Sequence, residues 1–240
     1  MLPILYRDEH LVVIDKPSGL LVHRTALAWG ETEFAMQQLR DQIEHHVYPV
    51  HRLDRPTSGI LVFALNANVA RTLSDAFASR MVEKTYHAVV RGYMPEAGVI
   101  DYPLVEELDD IADKQASKVP DAKEAITEFT TVAKVELPFK VSKKHETSRF
   151  SLVQCMPKTG RKHQIRRHLA HLRHPIIGDT NHGDGRQNKF FREHFNCQRL
   201  LLMASAIRFE HPVTANEIHL ELSLPEVFTA AFIQPPEAVR

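Results

Sequence analysis

His51-Arg52-Leu53-Asp54-Arg55-Pro56-Thr57-Ser58-Gly59 runs directly into Ile60-Leu61-Val62-Phe63-Ala64-Leu65. The apolar half, 59–65, is continuous and of strand length, so it predicts a strand buried on both faces. The polar half predicts a tight loop, because Pro56, Thr57, Ser58 and Gly59 are turn-formers. One carboxylate therefore sits between two arginines on a loop held by a buried strand. A guanidinium within about 4–6 Å keeps an aspartate ionised. An ionised carboxylate so held can act as a nucleophile or an electrostatic group. Read alone, an Asp here is more often a turn cap with surface salt bridges.

Working outward, 66–81 predicts a helix with Val69, Leu73, Phe77 and Met81 on its apolar stripe. Upstream, 34–43 predicts a helix that buries Phe34, Leu39 and Ile43, and 4–6 and 11–15 predict two short strands. Lys16-Pro17-Ser18-Gly19 breaks the second of them. Downstream, 85–91, 125–136, 149–156, 200–209 and 218–224 read as strands, 161–172 as a helix and 225–233 as a closing helix. Strands outnumber helices without strict alternation, which predicts an α+β fold with a mixed or antiparallel sheet. No repeat or linker interrupts the chain, so 1–240 is expected to be a single catalytic domain. Gly-x-Gly-x-x-Gly and Gly-x-x-x-x-Gly-Lys-Ser/Thr are both missing, so no nucleotide cofactor is expected.

Composition narrows the class further. The chain is 43% hydrophobic and 25% charged, ordinary for a globular protein. No stretch approaches 18 consecutive apolar residues, so no membrane span is expected. Met1–Asp8 lacks a basic segment followed by an apolar run, so a cytoplasmic location is expected. Cys155 and Cys197 read as free thiols. Thirty basic and thirty acidic residues cancel, but they are segregated. Residues 147–178 hold Arg149, Lys158, Arg161, Lys162, Arg166, Arg167 and Arg173 and no acid, a balance of +7. Residues 96–128 hold ten acids and three lysines, a balance of −7. A local basic patch can hold a polyanion whatever the total charge. A solvated basic helix face is the other reading.

A second text lies inside that basic window: Pro157-Lys158-Thr159-Gly160-Arg161-Lys162-His163-Gln164-Ile165-Arg166. Thr159 fits as the N-cap of the helix 161–172, which would aim free N–H groups at phosphate oxygens. Arg166 sits at the edge of the buried stripe Ile165, Leu169, Leu172. There it can reach inwards to a carboxylate or lie flat on the surface. His163, His168, His171 and His174 could suggest zinc, but His-Glu-x-x-His spacing is absent, so no metal is expected.

The residues 51–59 resemble the active-site motif of the RluA-type pseudouridine synthases. Lys16-Pro17-Ser18-Gly19-Leu20-Leu21-Val22-His23, Glu83-Lys84-Thr85-Tyr86, Thr159–Arg166 and His174-Pro175-Ile176-Ile177-Gly178-Asp179 resemble four further family segments, in the family's order. The resemblance spans about residues 4 to 210 and implies isomerisation of uridine to pseudouridine in RNA. It implies a mixed, mostly antiparallel sheet flanked by helices, with the active-site cleft across the sheet, and no cofactor. By resemblance Asp54 is the nucleophile, Tyr86 stacks on the uracil and can help move its C5 proton, and Arg166 pairs with Asp54. Arg52 would fill the space of a base swung out of its duplex, and Leu202 would pack on that base. Arg55 and Thr57 of the motif loop, with Lys158, Arg161, Lys162 and Arg167 of the basic segment, would bind the RNA. Where the family text reads Leu-His-Ala, this chain reads Leu202-Met203-Ala204 and so loses a polar group.

Within the family the resemblance is greatest to the subgroup that acts on tRNA at uridine 65 of the T stem. The chain is expected to start at the catalytic domain, with no S4-like RNA-binding module, and 101–109 with 111–114, and 178–188, look like that subgroup's insertions. The acidic insertion is expected to face away from the RNA. A monomer acting on tRNA is expected. Ribosomal RNA as substrate, and non-catalytic RNA binding, remain the rival readings.

Overall fold

The computed structural model describes residues 1–23, 30, 32–105 and 121–233. The acidic text at 106–120 lies outside the described residues, as does the expectation that it faces away from RNA.

The chain opens with a hairpin, β1 (Ile4–Arg7) and β2 (Leu11–Lys16), then α1 (Ala35–Ile43), β3 (Tyr48–Pro49), β4 (Ser58–Ala64) and α2 (Ala67–Ala78). It continues through β5 (Glu83–Arg91), β6 (Ala97–Asp101), a small hairpin of β7 (Leu104–Val105) and β8 (Ala122–Lys123), β9 (Ile126–Leu137) and β10 (Ser148–Pro157). Helices α3 (Gln164–His171) and α4 (Gly185–Phe195), strands β11 (Leu202–Glu210) and β12 (Glu217–Glu221) and helix α5 (Glu226–Ile233) complete it. Among the described residues the main sheet runs β1-β2-β4-β11-β5-β10-β9-β6, with β3 beside β4 and β12 beside β11. Its pairings are antiparallel except β4 with β11. This is the mixed, mostly antiparallel α+β sheet expected.

Side chains alternate across the sheet and sort the core into two layers. Leu61 and Phe63 of β4 meet Ala35, Leu39 and Ile43 of α1. On the same face Ala88 and Val90 of β5 and Leu202 of β11 meet Ile165 and Leu169 of α3. The opposite face of β4, with Ile60 and Val62, is covered by Val69 and Leu73 of α2. There Val89 and Met203 pack with Phe190 and Phe191 of α4 and Phe228 of α5. Met203 thus belongs to an apolar layer, where a methionine needs no hydrogen-bond partner, while its neighbours Leu202 and Ala204 face the other way. The polar group lost relative to the family text is lost from the core.

Three local expectations are corrected. Helix α2 ends at Ala78, and Arg80 takes a left-handed φ of 63°, so Met81 leaves the apolar stripe and is exposed. Thr159 does not cap a helix: α3 begins at Gln164, behind His163 at φ 55°. The stretch after Gly178 carries an unforeseen helix, α4, capped by the Asp184 carboxylate accepting from Arg186 N–H. Among the described helices none is long and apolar enough to cross a membrane.

Candidate active site

The site lies on the face shared by α1 and α3, at the seam between their two apolar layers. Tyr86 of β5 packs against both layers. Its backbone pairs with Ala204 on one side and Cys155 on the other, so it stands mid-sheet. Gly59, at the start of β4, lies opposite Ala204 of β11. It takes φ +107°, and a Cβ there would come within 2.1 Å of the Ala204 carbonyl oxygen. Only glycine lets these parallel strands close next to the motif loop.

That loop is anchored on every side except the one that carries Asp54. Leu53 is buried in the α1 layer. The Thr57 N–H donates to Asp54 O at 3.0 Å and closes the turn. The Lys16–Leu20 turn holds it from behind. Lys16 is fully buried, and its Nζ donates to the carbonyls of Pro17, Leu20 and Arg55 at 2.9, 2.8 and 3.2 Å. Burial pushes the Lys16 ammonium down to about 7, against the upward pull of the Asp54 charge. Ser18 Oγ donates to Pro56 O at 2.6 Å. Beneath, His51 Nε2 accepts the Val62 N–H at 3.0 Å and the ring stacks on Phe77 at 4.4 Å.

Asp54 keeps 20% of its side chain exposed and meets a guanidinium 112 residues away in sequence: Arg166 Nη1 donates to its Oδ2 at 3.3 Å. Arg166 is only 3% exposed. It projects from α3 into the seam rather than lying on the surface. Its other edge forms a two-pronged pair with Asp179, Nε to Oδ2 at 2.7 Å and Nη2 to Oδ1 at 2.9 Å. Burial alone would lower the Arg166 pKa, but Asp179 and then Asp54 outweigh it and raise it. His163 Nε2 stands 4.0 Å from Asp54 Oδ2, and its Nδ1 lies 3.0 Å from His182 Nε2. The Tyr86 hydroxyl is pushed above the usual phenol range by burial and then by the Asp54 charge, so it stays protonated at neutral pH. It makes no hydrogen bond among the described residues. A carboxylate, a cation and a phenol therefore share one partly open seam, the set needed for nucleophilic attack with proton transfer alongside.

The remaining expected contacts divide. Leu202 is buried in the α3 layer with Tyr86 and so lies at the site. Arg52 is exposed and makes no ion pair among the described residues. Its charge, after burial, lowers the His23 pKa. Arg55 Nε donates to Gly19 O at 3.0 Å and ties the two loops together. Thr57 is buried, and its Oγ1 finds no partner among the described residues. Lys158 pairs with Glu128 at 2.8 Å, Arg161 Nε donates to Glu124 O at 2.9 Å, and Arg167 Nη1 donates to Val105 O at 2.9 Å. Lys162 is half-buried on the same approach to α3. The acid-free window is thus partly matched by acids of β9. Thr159 works inside the protein: its Oγ1 accepts the Ile126 N–H at 2.9 Å and bonds Gln164 Oε1 at 2.7 Å.

The four histidines considered for zinc go separate ways. His168 has Thr127 Oγ1 and Tyr102 O against its two ring nitrogens, His171 stacks on Tyr102, and His174 bonds Arg91 O. Among the described residues no three His, Cys, Asp or Glu side chains are grouped to hold a metal. Sequence reasoning gave no role to Asp179 or Lys16. Both stand in segments it quoted, and the signal was a charged residue hard against a buried apolar run, Ile176-Ile177 for one and Val12-Val13-Ile14 for the other.

Residues 10–171 match the family model described as RNA pseudouridylate synthase. A protein of Vibrio cholerae serotype O1 named tRNA pseudouridine synthase C is 57% identical over 228 residues, covering 95% of this chain and 93% of that protein. One of the same name from Yersinia pestis is 54% identical over 220 residues, covering 92% and 85%. The solved structure titled Human RNA Pseudouridylate Synthase Domain Containing 1 shares the fold with TM-score 0.70 at 24% identity, over 94% of this chain and 84% of that one. Human RNA Pseudouridylate Synthase Domain Containing 4 gives 0.67 at 27% identity, over 95% and 90%. The chain belongs to the RNA pseudouridylate synthases, in their RluA-type branch, and is an isomerase that makes pseudouridine.

Proposed function

We propose that this enzyme isomerises uridine 65 in the T stem of tRNA, with Asp54 as its nucleophile. The observation that carries the nucleophile is the approach of the buried Arg166 to a half-open Asp54 beside Tyr86. The tRNA substrate is supported by the relatives' name and by the subgroup resemblance. In the reaction the N1–C1′ bond breaks, the uracil turns, C5 bonds to C1′, the C5 proton leaves and N1 takes one up. Atoms balance with no redox partner or group donor. Asp54 supplies the attacking carboxylate, whether at the ribose C1′ or the uracil C6. Arg166 holds that carboxylate aimed through its Nη1 hydrogen bond. Tyr86 stacks on the base and is placed to take part in removing the C5 proton. A base inside a stem must leave the stack first, and the exposed Arg52, next to Asp54, is placed to enter the gap. Leu202 forms the apolar floor. Arg55, Lys158, Arg161, Lys162 and Arg167 form or frame the surface that meets the RNA backbone, whereas Thr57, expected to join them, is buried beneath the loop and cannot reach it. The site is assembled within one chain, so a single catalytic unit acting as a monomer suffices.

Pseudouridine mapping of total tRNA and ribosomal RNA from cells with and without the protein tests the substrate. The expected result is loss of one tRNA site, position 65, with ribosomal sites unchanged. Loss at a ribosomal site instead would reassign the substrate. Purified Asp54→Asn should bind tRNA and form no product, whereas wild-type activity in that variant would overturn the nucleophile.

A further inference from the structure

We propose that Asp179 is a positioning residue for the isomerisation: it fixes the plane of the Arg166 guanidinium and takes the larger share of its charge, leaving Asp54 held but reactive. This rests on the reading of Asp54 as nucleophile.

A guanidinium is flat and rigid, so grasping one edge decides where the other points. Asp179 takes the Nε and Nη2 edge with two short bonds, 2.7 and 2.9 Å, and what remains for Asp54 is one longer bond from Nη1, 3.3 Å. Asp179 is 1% exposed, against 20% for Asp54. The buried carboxylate therefore acts as the permanent partner and the open one as the exchangeable partner. Without Asp179, the Arg166 guanidinium would have Asp54 as its one carboxylate partner among the described residues. It would draw that carboxylate into a tight pair and blunt its attack. With Asp179 the guanidinium divides its hydrogen bonds between two carboxylates, two to Asp179 and one longer one to Asp54.

Asp179 is itself held rigidly. Its Oδ1 accepts the N–H groups of Asn181 and His182 at 2.9 and 3.0 Å. Asn188 of α4 donates from Nδ2 to Asp179 O at 2.8 Å and accepts the Gly178 N–H at 2.7 Å. Gly183 folds back so closely that a Cβ there would sit 2.0 Å from Asp179 O. The unforeseen helix α4 thus has a purpose, because it anchors the turn that aims Arg166.

The test is single-turnover tritium release from a T-arm transcript labelled at uridine C5, with RNA affinity measured separately by filter binding. Asp179→Asn keeps the shape and removes the charge. The expected result is a rate about 100-fold lower with the RNA Kd within about threefold of wild type. In an Arg166→Lys background, where no fork can bridge the two carboxylates, Asp179→Asn should change the rate by less than about threefold. A purely structural role would instead lower the rate equally in both backgrounds, and that result overturns the proposal. Should Asp179→Asn fail to fold, Asn188→Ala, which loosens the turn without touching the pair, carries the test: a rate fall of about tenfold at unchanged Kd supports the proposal and an unchanged rate overturns it. Asp54→Asn, run in parallel, separates the two readings. Product from Asp54→Asn would sink the nucleophile. No product from it, with a wild-type rate in Asp179→Asn, would sink only the role of Asp179.

Discussion

Tyr86 separates two contributions within one side chain. Its ring packs between two apolar layers, while its hydroxyl makes no hydrogen bond among the described residues. Tyr86→Phe should therefore leave the melting temperature within about 2 °C of wild type, because no bond is lost. If the hydroxyl serves proton transfer, the same change should lower the single-turnover rate by about 100-fold. An unchanged rate would reduce Tyr86 to a stacking surface. His51 gives a second residue-scale test, through pH. Burial, and after it the Lys84 charge, pushes its ring down to about 3. The folded protein therefore leaves His51 neutral between about pH 3 and 6.5, where the unfolded chain takes up a proton. Stability must fall as pH drops through that window, by at most about 1.4 kcal/mol per pH unit from this one group. Denaturant unfolding of His51→Gln, whose amide oxygen can still accept the Val62 N–H, should show a shallower fall, and equal slopes would refute the assignment. At this scale the site is only partly legible in the sequence. A lone Asp between arginines was visible as unusual chemistry, but its partner Arg166 lies 112 residues away and was linked to it only through the family resemblance. Asp179 stands out locally only as a charge hard against the buried Ile176-Ile177 run, and its pairing with Arg166 is a distance that no local spacing encodes.

Elements were legible where one physical rule dominates and obscure where two compete. The run 59–65 is short enough for a buried strand, and β4 is buried at each of its positions. Helix α2 announces itself through Asn66, whose side chain accepts the Val69 N–H at 2.9 Å, and through Val69 and Leu73 at one-turn spacing. Helix α3 begins at Gln164, three residues after the expected 161. Arg161 and Lys162 are good helix-formers, but Gln164 Oε1 captures the Arg161 N–H and the Thr159 hydroxyl and holds that approach outside the helix. Helix α4 was hidden because Gly185 and Asn188 are weak helix-formers. Its stability comes from Phe190 and Phe191 packing on Phe150 of β10, a tertiary effect. The seam between β4 and β11 is the element that everything at the site leans on. Gly59→Ala would drive a methyl against the Ala204 carbonyl at a φ that alanine avoids. The expected loss is about 3–4 kcal/mol, measured by denaturant unfolding, with activity lost alongside as Asp54 and Tyr86 separate. A loss below about 1 kcal/mol would mean that the seam yields easily and does not position the loop.

Across the whole molecule, a net charge of zero conceals a working separation of charges. The segment that leads from β10 into α3 is basic, yet its cations are not equivalent. Lys158 is matched by Glu128 of β9, and Arg149 by Glu136 of the same strand. Arg166 is buried between two carboxylates. Arg161, exposed, donates to a main-chain carbonyl that cannot cancel its charge. Only cations that carry net charge to the RNA release counterions when they meet phosphate, and each such contact steepens the salt dependence of binding by about 0.7–0.9 in a plot of log affinity against log salt. The basic surface should therefore be read as a few effective cations rather than as a sum over residues 147–178. Affinity for a T-arm transcript, measured between roughly 50 and 200 mM salt, should fall steeply in the wild type. Arg161→Gln should flatten that slope by close to one full contact. Lys158→Gln, which removes a charge already balanced by Glu128, should flatten it far less. Equal changes in the two variants would show that the Glu128 pair opens on binding and that both cations reach phosphate. No change in either would place the RNA on another face of the sheet and leave the seam at Asp54 without its electrostatic approach.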